Sequence, residues 1–229
     1  MYRLTNVAKI YRRRREKVTA FRAMRLEIAD GEYVAVIGPS GSGKTTLLSL
    51  LGGMLSPEEG RVELCGESLY DLTVTQRTIL RRNLIGFVFQ TFNLIPYLTA
   101  LQNVQIPLFL ADIPQGEHAA RATALLEQVG LGNRLHHKPA ELSTGQQQRV
   151  ALARTLANDP KLILADEPTG NLDPESRGIV LGLFDRFIAE GRTIVMVTHD
   201  PAAATRAQRR VRLVNGEVQA ESECERRVA

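Results

Sequence analysis

The chain has 229 residues, of which 44% are hydrophobic and 24% charged, and carries a formal net charge of +4. These values fit one globular domain, alone or with a sizeable insertion, and exclude bulk disorder. No apolar run nears the roughly 18 residues of a membrane span, the N-terminus lacks the apolar core of a secretory signal, and Cys65 and Cys224 form neither a zinc motif nor a disulfide framework.

The first thirty residues alternate polar and apolar before a turn at Asp30-Gly31, which predicts antiparallel strands. The basic run Arg12–Arg15 lies within them. Together with Arg209-Arg210 and Arg226-Arg227 it reads as a solvated face or a surface near anionic lipid. Aromatics make up only 5%, Trp is absent and no RNA- or DNA-binding motif is present, so nucleic acid is not expected as a partner.

Tyr33-Val-Ala-Val-Ile is a short apolar strand suited to a central position. It runs into Gly38-Pro39-Ser40-Gly41-Ser42-Gly43-Lys44-Thr45, the G-x-x-x-x-G-K-[ST] phosphate loop, and a buried helix is expected over Thr45 to Leu51. The glycines let backbone N–H groups turn toward a phosphate chain, and the helix points its positive end at the same anion. In this pattern Lys44 reaches the β- and γ-phosphates and the Thr45 hydroxyl can ligate Mg²⁺. Thr46 completes the predicted nucleotide-binding set.

Residues 61 to 65 alternate as a strand. From about Thr91 to Ala157 the pattern turns helical: Leu94, Leu98, Leu101 and Val104 recur at helical spacing, as do Ala122, Leu125, Leu126 and Val129. Within this stretch Ser143 is a good helix N-cap before a helix expected over Gln147 to Ala157, which Asn158-Asp-Pro160 ends. Leu162-Ile-Leu-Ala is a buried strand that closes on Asp166 and Glu167. Ligands of open α/β sheets bind at such carboxyl ends. Asp166 is placed to hold Mg²⁺, and Glu167 to polarise an attacking water. Strands follow at Thr193 to Val197 and on either side of the hairpin turn Asn215-Gly216, and a polar, frayed tail is expected from Glu221.

Taken together the motifs resemble the nucleotide-binding domain of ABC ATPases over nearly the whole chain. Leu142-Ser143-Thr144-Gly145-Gln146 is similar to that family's LSGGQ signature, with Thr144 where Gly is usual. Gln90 stands at the Q-loop glutamine, Gly170-Asn-Leu-Asp173 resembles the D-loop, His199 the switch histidine and Tyr11 the aromatic that stacks on adenine. The resemblance implies an α/β fold: a P-loop NTPase, RecA-like core (1–90 and 158–220) with an antiparallel β subdomain, a helical signature subdomain (about 91–157) and a flexible tail (221–229). It implies ATP and Mg²⁺ as ligands, with Thr45, Gln90 and Asp166 at the metal and Glu167, His199 and Gln90 in hydrolysis. It also implies a head-to-tail dimer, of two copies or with a paralogue. There Ser143, Gly145, Gln146 and Asp173 of one subunit meet the nucleotide held by the other.

Within the family the chain looks most like the ATPases of lipoprotein release and macrolide export (the LolD and MacB type). The carrying residues are Glu32 to Gly38, Leu50 to Gly53, Gln90 to Pro96 and Asp166 to Asp173. That resemblance implies a separate four-helix permease contacted through about Thr91 to Val104. It also implies a peripheral location on the cytoplasmic face of the inner membrane. Two other readings remain. A soluble ABC ATPase acting on nucleic acid or ribosomes usually carries long coiled-coil insertions or paired domains, which 229 residues do not hold. An idle scaffold subunit would not need Lys44, Asp166, Glu167 and His199 all intact.

Overall fold

The computed structural model describes residues 1–13 and 16–223. Arg14, Arg15, Cys224 and the last residues of the expected tail lie outside the described residues. Among the described residues ten strands form one sheet in the order β5-β4-β1-β2-β10-β9-β3-β8-β7-β6. Its centre is parallel: β3 (Tyr33–Ile37) lies between β8 (Thr193–Val197) and β9 (Arg209–Val214), and β7 (Leu162–Asp166) links β8 to β6 (Ile85–Val88). The other half is antiparallel, built from β1 (Tyr2–Arg13), β2 (Glu16–Ile28), β4 (Glu59–Leu64), the two-residue β5 (Glu67–Ser68) and β10 (Glu217–Glu223). β10 joins the halves: it pairs antiparallel with β9 on one side and, at Glu217–Arg22, parallel with β2 on the other, where the Arg22 amide donates to the Gly216 carbonyl at 2.6 Å.

Two hydrophobic clusters explain the unbroken apolar strands. Along β3, Tyr33 and Ala35 enter one cluster and Val34 and Val36 the other; Ile163 and Leu164 of β7 part in the same way. Side chains alternate across a strand, so a strand covered on both faces must be apolar at every position. One cluster packs under the helices α3 (Ala100–Phe109), α4 (Gln115–Gln128), α5 (Thr144–Thr155), α6 (Pro174–Ala189) and the short α7 (Pro201–Ala204). The other encloses α1 (Lys44–Leu51), whose Leu47, Leu50 and Leu51 lie between the parallel core and the antiparallel strands.

Several sequence expectations shift. Leu94 and Leu98 precede α3 instead of riding on it, because Thr99 caps that helix with a Thr99–Gln102 capping box and a turn at Pro96-Tyr97, closed by the Leu98 amide donating to the Ile95 carbonyl at 3.2 Å, comes before it. The helix expected over Gln147 to Ala157 starts at Thr144 and ends at Thr155, since Ser143 caps it directly and Leu156 closes it. β10 extends to Glu223, three residues into the expected tail. No helix is expected from the sequence at α6 or α7, nor at α2 (Val74–Leu84), which has no fully buried residue and is started by a Thr73–Gln76 capping box.

Candidate functional site

Four loops, at the carboxyl ends of β3, β6, β7 and β8, open onto one cavity of about 690 Å³. Gly38, Pro39, Ser40, Gly41, Gly43, Lys44, Thr45, Thr46, Gln90, Asp166, Glu167 and His199 all line it. Residues 160 positions apart in sequence thus converge because their parallel strands are neighbours. Ser42 belongs to the same loop but points inward, 2% exposed, with its hydroxyl unpartnered.

The loop's shape is set by backbone contacts. Gly43, the residue before α1, has φ of 98°, and a Cβ there would run into the Ala20 carbonyl of β2. Only glycine permits both the left-handed turn and this close approach. The Lys44 ammonium donates to the carbonyls of Gly38 (2.8 Å) and Pro39 (2.9 Å), which holds it curled over the loop within reach of anything the loop encloses.

On the facing side the Thr45 hydroxyl donates to the Asp166 carboxylate at 3.2 Å. Burial pushes the Asp166 carboxyl above its usual range, and Glu167 adds to the rise. The Thr45 hydroxyl and Lys44 oppose it. A hydroxyl beside a partly buried carboxylate, with the Gln90 amide lining the same space, is an all-oxygen donor set. It fits a hard cation such as Mg²⁺, whose charge would favour the ionised carboxylate.

Glu167 has φ of 48°, an uncommon conformation for a residue with a Cβ. Its amide donates to the Val197 carbonyl at 2.9 Å, fixing the turn against β8. Its carboxylate oxygen lies 2.7 Å from His199 Nδ1 and accepts from the His199 amide at 3.3 Å. With Nδ1 protonated the imidazole donates to that oxygen, which leaves the other carboxylate oxygen to receive a proton from a water in the cavity.

The remaining expected residues lie elsewhere. Tyr11 sits on β1 opposite Val18, and it is Val18, with Thr19 and Ala20, that lines the cavity; the Tyr11 ring is 46% exposed and faces the Lys9 ammonium at 5.3 Å. Ser143, Gly145 and Gln146 are at the tip of α5 and do not line the cavity. Ser143 and Gln146 form a reciprocal capping box there, with the Gln146 amide donating to the Ser143 hydroxyl and the Ser143 amide to the Gln146 side chain. Gly145 is buried, and a Cβ on it would strike Ser176 of α6. Asp173 caps α6 through the Ser176 amide at 2.9 Å. The tips of α5 and α6 are therefore packed against each other.

Gln148 is a residue the sequence reading passed over. It is fully buried in α5, and its side-chain amide donates at 2.8 Å to the carbonyl of Pro168, the residue after Glu167. The signal was available: helical spacing places Gln148 on the same face as Gly145 and Leu152, where a polar side chain needs a reason.

Comparison with known proteins agrees with this geometry. Residues 21–170 match the ABC transporter family. An uncharacterised ABC transporter ATP-binding protein of Thermotoga maritima is 49% identical over 216 residues, 94% of this chain and 92% of that one. The macrolide export ATP-binding/permease protein MacB 1/2 of Paracoccus denitrificans is 48% identical over 196 residues. That match covers 86% of this chain and 29% of the longer protein. Among solved structures, the ATP-binding cassette MJ0796 in a dimeric post-hydrolysis state bound to ADP and Pi superposes with a TM-score of 0.90. It is 42% identical, over 97% of this chain and 98% of that one. The phosphate loop, the acidic strand end and a match spanning most of the chain lead to one conclusion: this chain belongs to the ABC transporter family as an ATP-binding subunit that hydrolyses ATP.

Proposed function

We propose that this subunit closes head-to-tail with a second ATPase subunit around two Mg-ATP molecules and thereby drives a separate membrane permease. The observation that carries this reading is the separation of the two halves of the site. The phosphate loop and its carboxylates share one cavity, while the Ser143–Gln146 tip lies outside it. A helix N-terminus offers N–H donors and a positive dipole suited to a γ-phosphate. A second copy turned head-to-tail brings that tip to the open side of the first copy's cavity. The dimeric form of the MJ0796 cassette supports the pairing.

In this reading Gly38 to Thr46 wrap the triphosphate and Lys44 neutralises its outer phosphates. Thr45, Gln90 and Asp166 would hold a magnesium ion, which would neutralise charge on the β- and γ-oxygens. Glu167 orients the attacking water and accepts its proton, with His199 fixing the carboxylate through the 2.7 Å contact. Tyr11, one strand beyond Val18, stacks on the adenine. Ser143, Gly145, Gln146 and Asp173 act on the partner's nucleotide.

The permease contact falls in Thr91 to Val104, where Ile95 and Tyr97 are 41% and 83% exposed. No helix among the described residues is long and apolar enough to cross a membrane. The macrolide-export relative, named as an ATP-binding/permease protein, supports a permease partner; in this reading the permease is of the lipoprotein-release and macrolide-export kind, which transmits force across the membrane. The subunit then sits peripherally on the cytoplasmic face of the inner membrane. Glu167→Gln tests the core of the reading. The variant should bind ATP, lose at least about a hundredfold of the hydrolysis rate and accumulate as an ATP-dependent dimer in light scattering. Hydrolysis at the parent rate would remove Glu167 from its assigned role.

A further inference from the structure

The loop after Gln90 holds an unusual turn. Phe92 and Asn93 both have positive φ, 54° and 50°. Two successive residues with side chains in this region persist only when their surroundings enforce it. The enforcing group is Arg154, in the last turn of α5: its Nη2 donates to the Phe92 carbonyl at 2.7 Å and its Nη1 to the Asn93 carbonyl at 2.6 Å. Among the described residues Arg154 pairs with no carboxylate. Its fork is taken up by these two carbonyls, and burial pushes its pKa down.

Other contacts show what this clamp joins. Farther along the same loop, Asn103 of α3 accepts from the Ile95 amide at 2.8 Å and donates to the carbonyls of Ile95, Leu98 and Thr99. From Phe92 to Thr99 the loop is thus tied to helices, while Gln90 remains at the cavity. The opposite end of α5 carries Ser143 and Gly145, and midway Gln148 holds the Pro168 carbonyl.

We propose that Arg154 is a positioning residue that locks the Phe92–Asn93 turn to α5, so that the Gln90 loop and the Ser143–Gly145 tip of one chain move as a single piece. Filling a chain's own cavity then sets the tip it presents to its partner's cavity, which links the two sites. This rests on the head-to-tail reading above.

The test uses the full chain. With Glu167→Gln and Arg154 intact, ATP should drive dimerisation; failure of that control would count against the head-to-tail reading and not against the clamp. Adding Arg154→Ala should leave binding of a fluorescent ATP analogue to the monomer within about twofold. It should raise the ATP concentration for half-maximal dimerisation at least about tenfold, equivalent to ~1.4 kcal/mol. Arg154→Lys supplies one compact donor in place of a fork and should fall between the two. Asn93→Gly relaxes the turn without replacing the clamp. Combined with Arg154→Ala it should restore thermal stability but not ATP-driven dimerisation. The proposal is overturned if Arg154→Ala or Arg154→Lys dimerises at the parental ATP concentration. It is equally overturned if Asn93→Gly restores dimerisation in full, since Arg154 would then serve the turn alone.

Discussion

The cavity at the carboxyl ends of β3, β6, β7 and β8 and the tip of α5 do opposite things with their polar groups. In the cavity, Lys44, Thr45, Asp166, Glu167 and His199 converge from distant segments, and their nearest partners are one another or the loop carbonyls. At the α5 tip, Ser143 and Gln146 satisfy each other and Gly145 is pressed on Ser176. The first region is arranged to hold a ligand. The second has its polar groups satisfied within the chain. In the proposed head-to-tail pairing, a single chain holds the means to bind nucleotide but only half of what encloses it.

The largest way to break this contrast is Lys44→Ala. Removing a charged donor from the phosphate cradle should weaken ATP binding by about 10- to 100-fold, as expected for hydrogen bonds to charged groups, read by titration of the isolated chain. Unchanged affinity would place the nucleotide elsewhere. Gly145→Val sharpens the comparison from the other side. A side chain there must displace Ser176 and part the tips of α5 and α6. ATP affinity of the single chain should stay within about twofold, whereas ATP-dependent dimerisation and hydrolysis should fall at least about tenfold. Equal loss of both would mean that the tip and the cavity are one site within a chain.

The smallest expected effect concerns stability. Burial raises the Asp166 carboxyl's pKa, so without Mg²⁺ its ionised form opposes folding. Asp166→Asn should raise Tm in chelator at neutral pH by about 2 °C, the order of shift that roughly half a kcal/mol gives in a chain of this size. The native carboxyl gains its proton before the unfolded one does as pH falls. The gain should therefore shrink through that raised pKa and vanish below the ordinary carboxylate range.

What the sequence disclosed follows from the same contrast. The phosphate loop is one continuous segment whose glycines and Lys44 explain themselves locally. The strands behind it are legible because burial on both faces leaves no polar position in them. Their convergence with Asp166 and His199 could be expected from the parallel order alone. The α5 contacts were not legible. Arg154 to Phe92 and Gln148 to Pro168 join segments that only the folded chain brings together, and nothing near either residue marks its partner. α2 was missed for a different reason: lying on the surface, it carries no apolar period. Leu94 and Leu98 imitated a period that Pro96 and Thr99 override. Tyr11 rested on resemblance, and the fold places it across from Val18, next to the cavity lining instead of in it.

The most direct test of the shared site is a cysteine pair at the exposed positions Ser40 and Thr144, one on the phosphate loop and the other at the α5 tip. In a Cys65→Ser, Cys224→Ser, Glu167→Gln background, mixing Ser40→Cys chains with Thr144→Cys chains should give a cross-linked dimer that forms with ATP and is lost with ADP. A cross-link indifferent to nucleotide, or none while ATP-bound dimers are present, would contradict a nucleotide enclosed between two chains.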